Sequence, residues 1–424
     1  MAERRIKIDE ITKIEGHANL TIEIEDDELK RVIFGVHEGS RYFEAFMIGR
    51  RYHYLPELSG RICGICTVAH EISSVRAVED ALGIDVSEQV KALRKLMLIS
   101  SHIQSHILHL YFLALPDYRG VESVIELAGM DIELVKKAFK LKEASNYMTS
   151  LIGGRAVQPC TILPGKVSKR ITKTTMERYL KKMKEIYPFL VETAELFLSL
   201  DYPKYERKSE YVALWDGKGI PLYEGEIATL EYTFDAHEYG KHLKEWVVDY
   251  SSAKRSLVDG KDYMVGALAR LNINRNLRDE AKELADRYNI NFPSSRVAWI
   301  NAAQALENVH YALEAMELAE NMREYEPQRV EVPKLDGEGV GAIEAPRGLL
   351  IHHYRIRKGK CSYVNIITPT AMNTENIERN LKGYLSQLVD RDEEYIKMEA
   401  EKIIRAYDPC ISCSVHVTRI RKNK

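Results

Sequence analysis

Two cysteine pairs near opposite ends of the chain constrain it more than any other feature. Cys63 and Cys66 lie in Arg-Ile-Cys-Gly-Ile-Cys, and Cys410 and Cys413 lie in Asp-Pro-Cys-Ile-Ser-Cys, close to the end of 424 residues. This spacing lets both sulfurs of a pair reach one soft cation, and each pair supplies half of a four-ligand set. On spacing alone a structural zinc site is the first reading, and a single Cys-x-x-Cys could also be a redox pair. Zinc ribbons and fingers keep their pairs close in sequence, because there the metal folds a small module. A site joining the first and last parts of a large protein adds little as a local staple. It suits a buried reaction centre.

The chain is long enough to bury such a centre, either in one large α-rich body or in two or three merged subdomains. Hydrophobic residues at 45% and charged residues at 29% are the balance of a soluble globular protein. With 61 basic and 63 acidic residues, net charge −2, no general field draws it to nucleic acid or anionic lipid. The basic run at 166–173 reads as a solvated face. No apolar stretch approaches the ~20 residues that span a bilayer, and residues 1–10 lack the apolar segment of a secretion signal. A cytoplasmic location is expected. There, six cysteines argue against a disulfide framework. Cys160 and Cys361, outside the pairs, read as inert thiols.

Hydrophobic periodicity gives a mainly α protein with small β-sheets, an α+β fold around a buried metal centre. Ala18, Leu20, Ile22 and Ile24 alternate with polar residues, Asp26 and Asp27 interrupt, and Val32, Phe34 and Val36 resume: a β-hairpin. It delivers Glu15 at its entrance and Glu44 beyond its exit. Residues 61–66 form a Gly-flanked loop before a helix. Val90, Leu93, Met97, Ile103, Ile107 and Leu110 mark a long helix over 87–115, ended near Pro116. Helical patterns also cover 132–151, 175–200, 237–249, 277–288 and 294–322. A small β excursion is expected at 202–232, a loop at 327–341, strands at 348–356 and 362–367, and a helix from 374 to 407. Taken together, these describe a single domain over 1–424, with an N-terminal hairpin region 1–60, a helical body 67–335 and a C-terminal β/helix region 336–416.

Several motifs occur in one order along the chain: Ile14-Glu15-Gly16-His17, Arg41-Tyr42-Phe43-Glu44, the 61–66 loop with His70, Glu344-Ala345-Pro346-Arg347-Gly348, Thr368-Pro369-Thr370, and the segment from Asp408 to His416. The chain thereby resembles the large subunit of nickel-iron hydrogenases, particularly the cytoplasmic group with archaeal sulfhydrogenases and deazaflavin- or NAD(P)-linked enzymes. The resemblance implies four thiolates on nickel, with Cys63 and Cys410 terminal and Cys66 and Cys413 bridging to an iron that bears carbon monoxide and cyanide. Splitting dihydrogen heterolytically calls for Lewis-acidic metal and a nearby base. Glu15 is implied as the proton relay from Cys410, and Arg347 as the guanidinium over the open metal position. The resemblance also implies that His70 donates to the bridging cysteine, that Thr370 bonds a cyanide, and that Asp408 belongs to the cofactor-binding set. Glu44, the carbonyl of Ile366 and His416 correspond to ligands of magnesium or another divalent cation.

The same resemblance implies trimming of 417–424 by a maturation endopeptidase. It also implies an iron-sulfur small subunit, since Cys160 and Cys361 cannot build a four-cysteine cluster. Flavin- or NAD(P)-binding and further iron-sulfur subunits are implied too, because no Gly-rich dinucleotide fingerprint is present. His102, His106 and His109 share a helix face yet read as packing histidines rather than a metal triad. Ser105 stands where many family members have an acid, and Gln158 where histidine is common, which favours a divergent cytoplasmic branch. Two alternatives stay open: a complex I-like quinone-site subunit without metal, and a zinc-stabilised scaffold.

Overall fold

The computed structural model describes residues 3–39 and 41–415. His416 and the tail 417–424 lie outside the described residues. Near the N-terminus the expected hairpin, Ala18–Glu25 with Glu28–Val36, closes through Asp26 and Asp27, both with positive φ (49° and 60°) as a tight two-residue turn requires. A third strand, Glu3–Ile8, pairs with it antiparallel. Its short Ile6/Ile8 alternation was hidden among charges.

Thr67–Leu82 is the central helix, and it lies on the antiparallel sheet of Gly337–Ala345, Gly348–Arg357 and Lys360–Ile367. The loop expected at 327–341 thus ends in a strand. Gly337, Gly339 and Gly341 explain why: a Cβ on any of them would overlap the helix backbone at Ser73, Ala77 or Ala81. Every fourth helix residue advances about 6.0 Å, and every second strand residue about 6.6 Å, so the two rows stay in step. Alternating glycines therefore encode a helix laid against a strand, and this contact fixes the first cysteine loop relative to the turn carrying Arg347.

Around this core pack the long helices Glu88–Leu108, Ile132–Gly153, Lys173–Leu198 and Ile300–Asn321. The first, capped by Ser87, continues through a wide turn at His109–Ala114 and a short helix Leu115–Arg119. Pro116 does not end it, because proline in a helix's first turn forfeits no bond. The helix expected at 237–249 is a correction: only a 3-10 turn Ala236–Glu238 and the single turn Tyr239–His242 are helical, and Leu243–Val248 pairs as a strand with Ser251–Val258. Its Trp246-Val247-Val248 run favours a pleated surface over a helix. Short strands do occupy the 202–232 excursion. The 374–407 helix divides into Pro369–Leu385 and Glu393–Ala406, the latter capped by Asp392. No helix among the described residues is long and apolar enough to cross a membrane.

Candidate metal centre

Both cysteine pairs sit at the mouths of helices. Cys66 immediately precedes Thr67–Leu82, whose positive end favours a thiolate, and Cys410 precedes the short helix Ile411–Ser414. The chain ends are tied together by backbone: Ile411 N donates to Glu15 O at 2.9 Å, and Arg41 N to Val415 O at 3.1 Å. Arg41 also donates through Nη1 to Ile62 O at 2.5 Å, so one arginine fixes both loops.

Sγ of Cys63 and Cys410 are 3.3 Å apart, those of Cys66 and Cys413 3.1 Å, and those of Cys410 and Cys413 2.8 Å. All four sulfurs lie within 4.8 Å of one another and are buried. Hydrogen bonds from Cys410, Cys413 and Cys66 hold the Cys63 thiol well below its ordinary value, while burial pushes Cys410 and Cys413 well above theirs. Four crowded thiols cannot all ionise without a cation among them. The donor set is thus soft, closed around a point, and electrostatically suited to a metal that accepts thiolates.

Arg347 approaches from the sheet. Its Nε donates to Asp408 O at 2.7 Å and Nη2 to Asp408 Oδ1 at 2.8 Å, while Nη1 and Asp408 Oδ2 are buried without a protein partner. Burial opposes its charge, but Asp408 and the cysteines Cys410, Cys66 and Cys63 outweigh it and keep the guanidinium firmly protonated. Such orphaned polar atoms beside a thiol cluster fit a bound group with acceptors and donors of its own.

Residues 41–151 and 171–416 match the family described as nickel-dependent hydrogenase. The chain belongs to that family. Within it, the chain is 36% identical to sulfhydrogenase 1 subunit alpha of Pyrococcus furiosus, over 98% of each chain. It is 38% identical to sulfhydrogenase 2 subunit alpha of the same organism, covering 98% of this chain and 100% of that one. Among solved structures, an NAD+-reducing [NiFe]-hydrogenase in the H2-reduced state superposes with TM-score 0.86 at 25% identity, over 97% of this chain and 99% of that chain. These matches and the converged thiols speak against the metal-free quinone-site reading and the zinc scaffold.

The other expected site residues of this hydrogenase are placed as follows. His70 Nε2 is 3.6 Å from Cys413 Sγ, and burial lowers its ring to about 4, so it is neutral. Thr370 Oγ1 accepts from Cys410 N at 2.8 Å. The Glu15 carboxylate meets not a thiol but Ser412, accepting from its amide at 3.0 Å and its hydroxyl at 2.5 Å. Glu44 and Ile366 do come together, Glu44 Oε1 accepting from Ile366 N at 2.8 Å, both buried. The third cation ligand, His416, is outside the described residues. His102, His106 and His109 are packing residues bonded to Leu98 O, Glu307 and Gln304 respectively. Burial also pushes the Cys361 thiol to about 12, an inert state, whereas Cys160 is exposed.

Sequence reasoning missed two groups beside the centre. Glu38 Oε1 lies 3.2 Å from Ser412 Oγ, making a Glu15–Ser412–Glu38 chain. Deeper in, Arg270 bonds Glu307 and Glu344 with every group fully buried. Glu38, Arg270 and Glu307 had no motif to mark them; Ser412, between two cysteines, and Glu344, at the head of the Arg347 motif, were the available signals.

Proposed function

We propose that this hydrogenase chain is a cytoplasmic catalytic subunit that interconverts dihydrogen with protons and electrons at a nickel-iron pair held by Cys63, Cys66, Cys410 and Cys413. The observation that carries the reading is the quartet of buried sulfurs within 4.8 Å, drawn from both chain ends, whose charge the Arg347 guanidinium feels. Cys63 and Cys410 would hold nickel, and Cys66 and Cys413 would serve nickel and iron together. The pair supplies the Lewis acidity that polarises dihydrogen and the redox capacity that takes up its electrons. Arg347 Nη1 and the Thr370 hydroxyl would be the donors for diatomic ligands such as carbon monoxide and cyanide on that iron, and His70 Nε2 the donor toward Cys413.

Glu15 takes the proton from the Cys410 side and passes it through Ser412 to Glu38. A serine has one hydroxyl proton, so the outward transfer has protonated Glu15 donate to Ser412 Oγ while Ser412 gives its own hydroxyl proton to Glu38, and the reverse transfer runs with Ser412 donating to Glu15. That arrangement lets one carboxylate gain a proton as the other loses one. Glu44 and the Ile366 carbonyl would be oxygen donors to magnesium or another divalent cation, for which the family resemblance implies His416 as a further ligand.

Electrons leave to an iron-sulfur small subunit. Gly64 is exposed, and Arg41 joins its loop to exposed Tyr42 and Phe46, which supports this face as the docking surface. Further subunits binding flavin or NAD(P), or reducing polysulfide, complete the complex; the NAD+-reducing and sulfhydrogenase relatives support this reading. Removal of 417–424 by an endopeptidase completes maturation. Anaerobic purification with its partners, followed by nickel and iron analysis and infrared spectroscopy, tests the centre. Stoichiometric nickel and iron with cyanide and carbonyl bands are expected; zinc in their place overturns it.

A further inference from the structure

Arg347 is aimed by the turn it sits on, and the turn is held from behind by one side chain. Arg270, on the helix Ala267–Asn274, spends all its donors there. Nε and Nη2 grip the two oxygens of Glu307 at 2.6 and 2.7 Å, Nη1 donates to Glu344 Oε2 at 2.9 Å and to Ala345 O at 3.1 Å, and Nη2 also donates to Pro346 O at 3.0 Å. The guanidinium therefore holds the carbonyls of the two residues immediately before Arg347. Gly266, which opens the Arg270 helix, has φ +112° and abuts the Arg347 carbonyl, where a Cβ would come within 3.0 Å. Glu307 is itself fixed by His106 Nε2 at 3.0 Å.

We propose that Arg270 is a positioning residue for the reaction: clamped by Glu307 and His106, it sets where the Arg347 guanidinium stands over the thiolate centre. Only arginine can do this, because five donors in one plane satisfy a carboxylate on one edge and a second carboxylate with two carbonyls on the others. Lysine keeps the charge and loses the fork. The turn is free to shift once the Ala345 and Pro346 carbonyls lose their donor, and a displacement on the order of 1 Å at a reacting centre costs up to about a hundredfold in rate.

The inference rests on Arg347 facing the metal pair, so the test is a double-mutant cycle in the complete complex. Arg270→Lys, Arg347→Lys and the double variant are compared by turnover and by the infrared bands of carbon monoxide and cyanide, at matched nickel content. Arg270→Lys is expected to lower turnover about ten- to a hundredfold and move the bands, and to add nothing in the Arg347→Lys background. Multiplying effects, or bands unmoved by Arg270→Lys while Arg347→Lys shifts them, overturn the positioning role. Bands that Arg347→Lys leaves in place would instead sink the reading of Arg347 itself. Should Arg270→Lys not fold, Glu344→Gln, which removes one charged partner from the clamp, is expected to shift the same bands by less; no shift there overturns the proposal.

Discussion

Two buried polar clusters lie within this protein, and they are built on opposite principles. In the Arg270–Glu307–Glu344–His106 cluster each charge meets its counter-charge inside the chain, and the guanidinium leaves no donor unused. Among the four cysteines, like groups crowd together, with Arg347 the nearby cation and its Nη1 unspent. The Arg270 guanidinium is satisfied as folded, with His106 Nδ1 the one buried polar atom of its cluster without a partner; the cysteine cluster is complete only with what it binds. The difference teaches where stability and chemistry reside: the neutralised cluster braces the frame, and the frustrated one takes the metal.

Removing a thiol should break this contrast most sharply. Cys413→Ser is expected to lose nickel and all turnover, while the unfolding free energy of the metal-free chain stays within about 0.5 kcal/mol of the parent, because no buried counter-charge is orphaned. Metal analysis and a melting curve report the two halves. A variant that kept full nickel would refute the assignment of Cys413 as a ligand.

Glu307→Gln makes the reverse cut. It leaves Arg270 buried with half its counter-charge, and breaking a buried pair costs about 3–5 kcal/mol. The loss should show in the denaturant midpoint with and without metal alike. A cost below 1 kcal/mol would mean the cluster is not the brace described above. Next in size is Glu15→Gln: nickel and iron are retained, and exchange of dihydrogen with solvent deuterium slows about a hundredfold. Ser412→Ala, which cuts the link to Glu38, should slow it less. Metal loss in Glu15→Gln equal to that in Cys413→Ser would make Glu15 structural.

The two clusters also differ in how far they can be read from the sequence. Cys63, Cys66, Cys410 and Cys413 stand in local motifs whose spacing marks them as ligands of a soft cation, though not of which one, and the hairpin and long helices announce themselves by period. Arg270 and Glu307 carry no such mark. On a helix a charged residue reads as solvated, and only the closure of distant segments shows that both are dry. The 337–341 strand was lost for a related reason: alternating glycines resemble a loop until the helix that fills the missing side chains is known. At 243–248 the β-branched run was legible and was outweighed by the helical period preceding it. Glu15 stands in a motif, but its bond to Ser412 was not legible, since a hydroxyl shared by two carboxylates leaves no spacing rule.

The smallest expected effect concerns the braced cluster alone and follows from one guanidinium serving two carboxylates. Burial pushes against the ionised form of both. Arg270 gives Glu307 two bonds, His106 adds a third, and Glu307 is held at about 2. Glu344 receives less, and burial pushes it up to about 7 despite the Arg270 charge. Between the ordinary 4.5 and about 7 the folded chain retains a proton on Glu344 that the unfolded chain has released. Stability from this group must fall as pH rises through that window. Glu307 has the opposite sign: its contribution is present above 4.5 and lost as pH falls toward 2. Glu71, raised by burial to about 9, shares the sign of Glu344, so the informative quantity is the difference between wild type and Glu344→Gln. One proton allows a slope of at most about 1.4 kcal/mol per pH unit. Urea midpoints from pH 4.5 to 7 should show wild type losing stability relative to Glu344→Gln, with the two curves parallel above pH 7. Curves parallel throughout would show that Arg270 keeps both carboxylates ionised, and that the braced cluster is balanced more evenly than its bond pattern indicates.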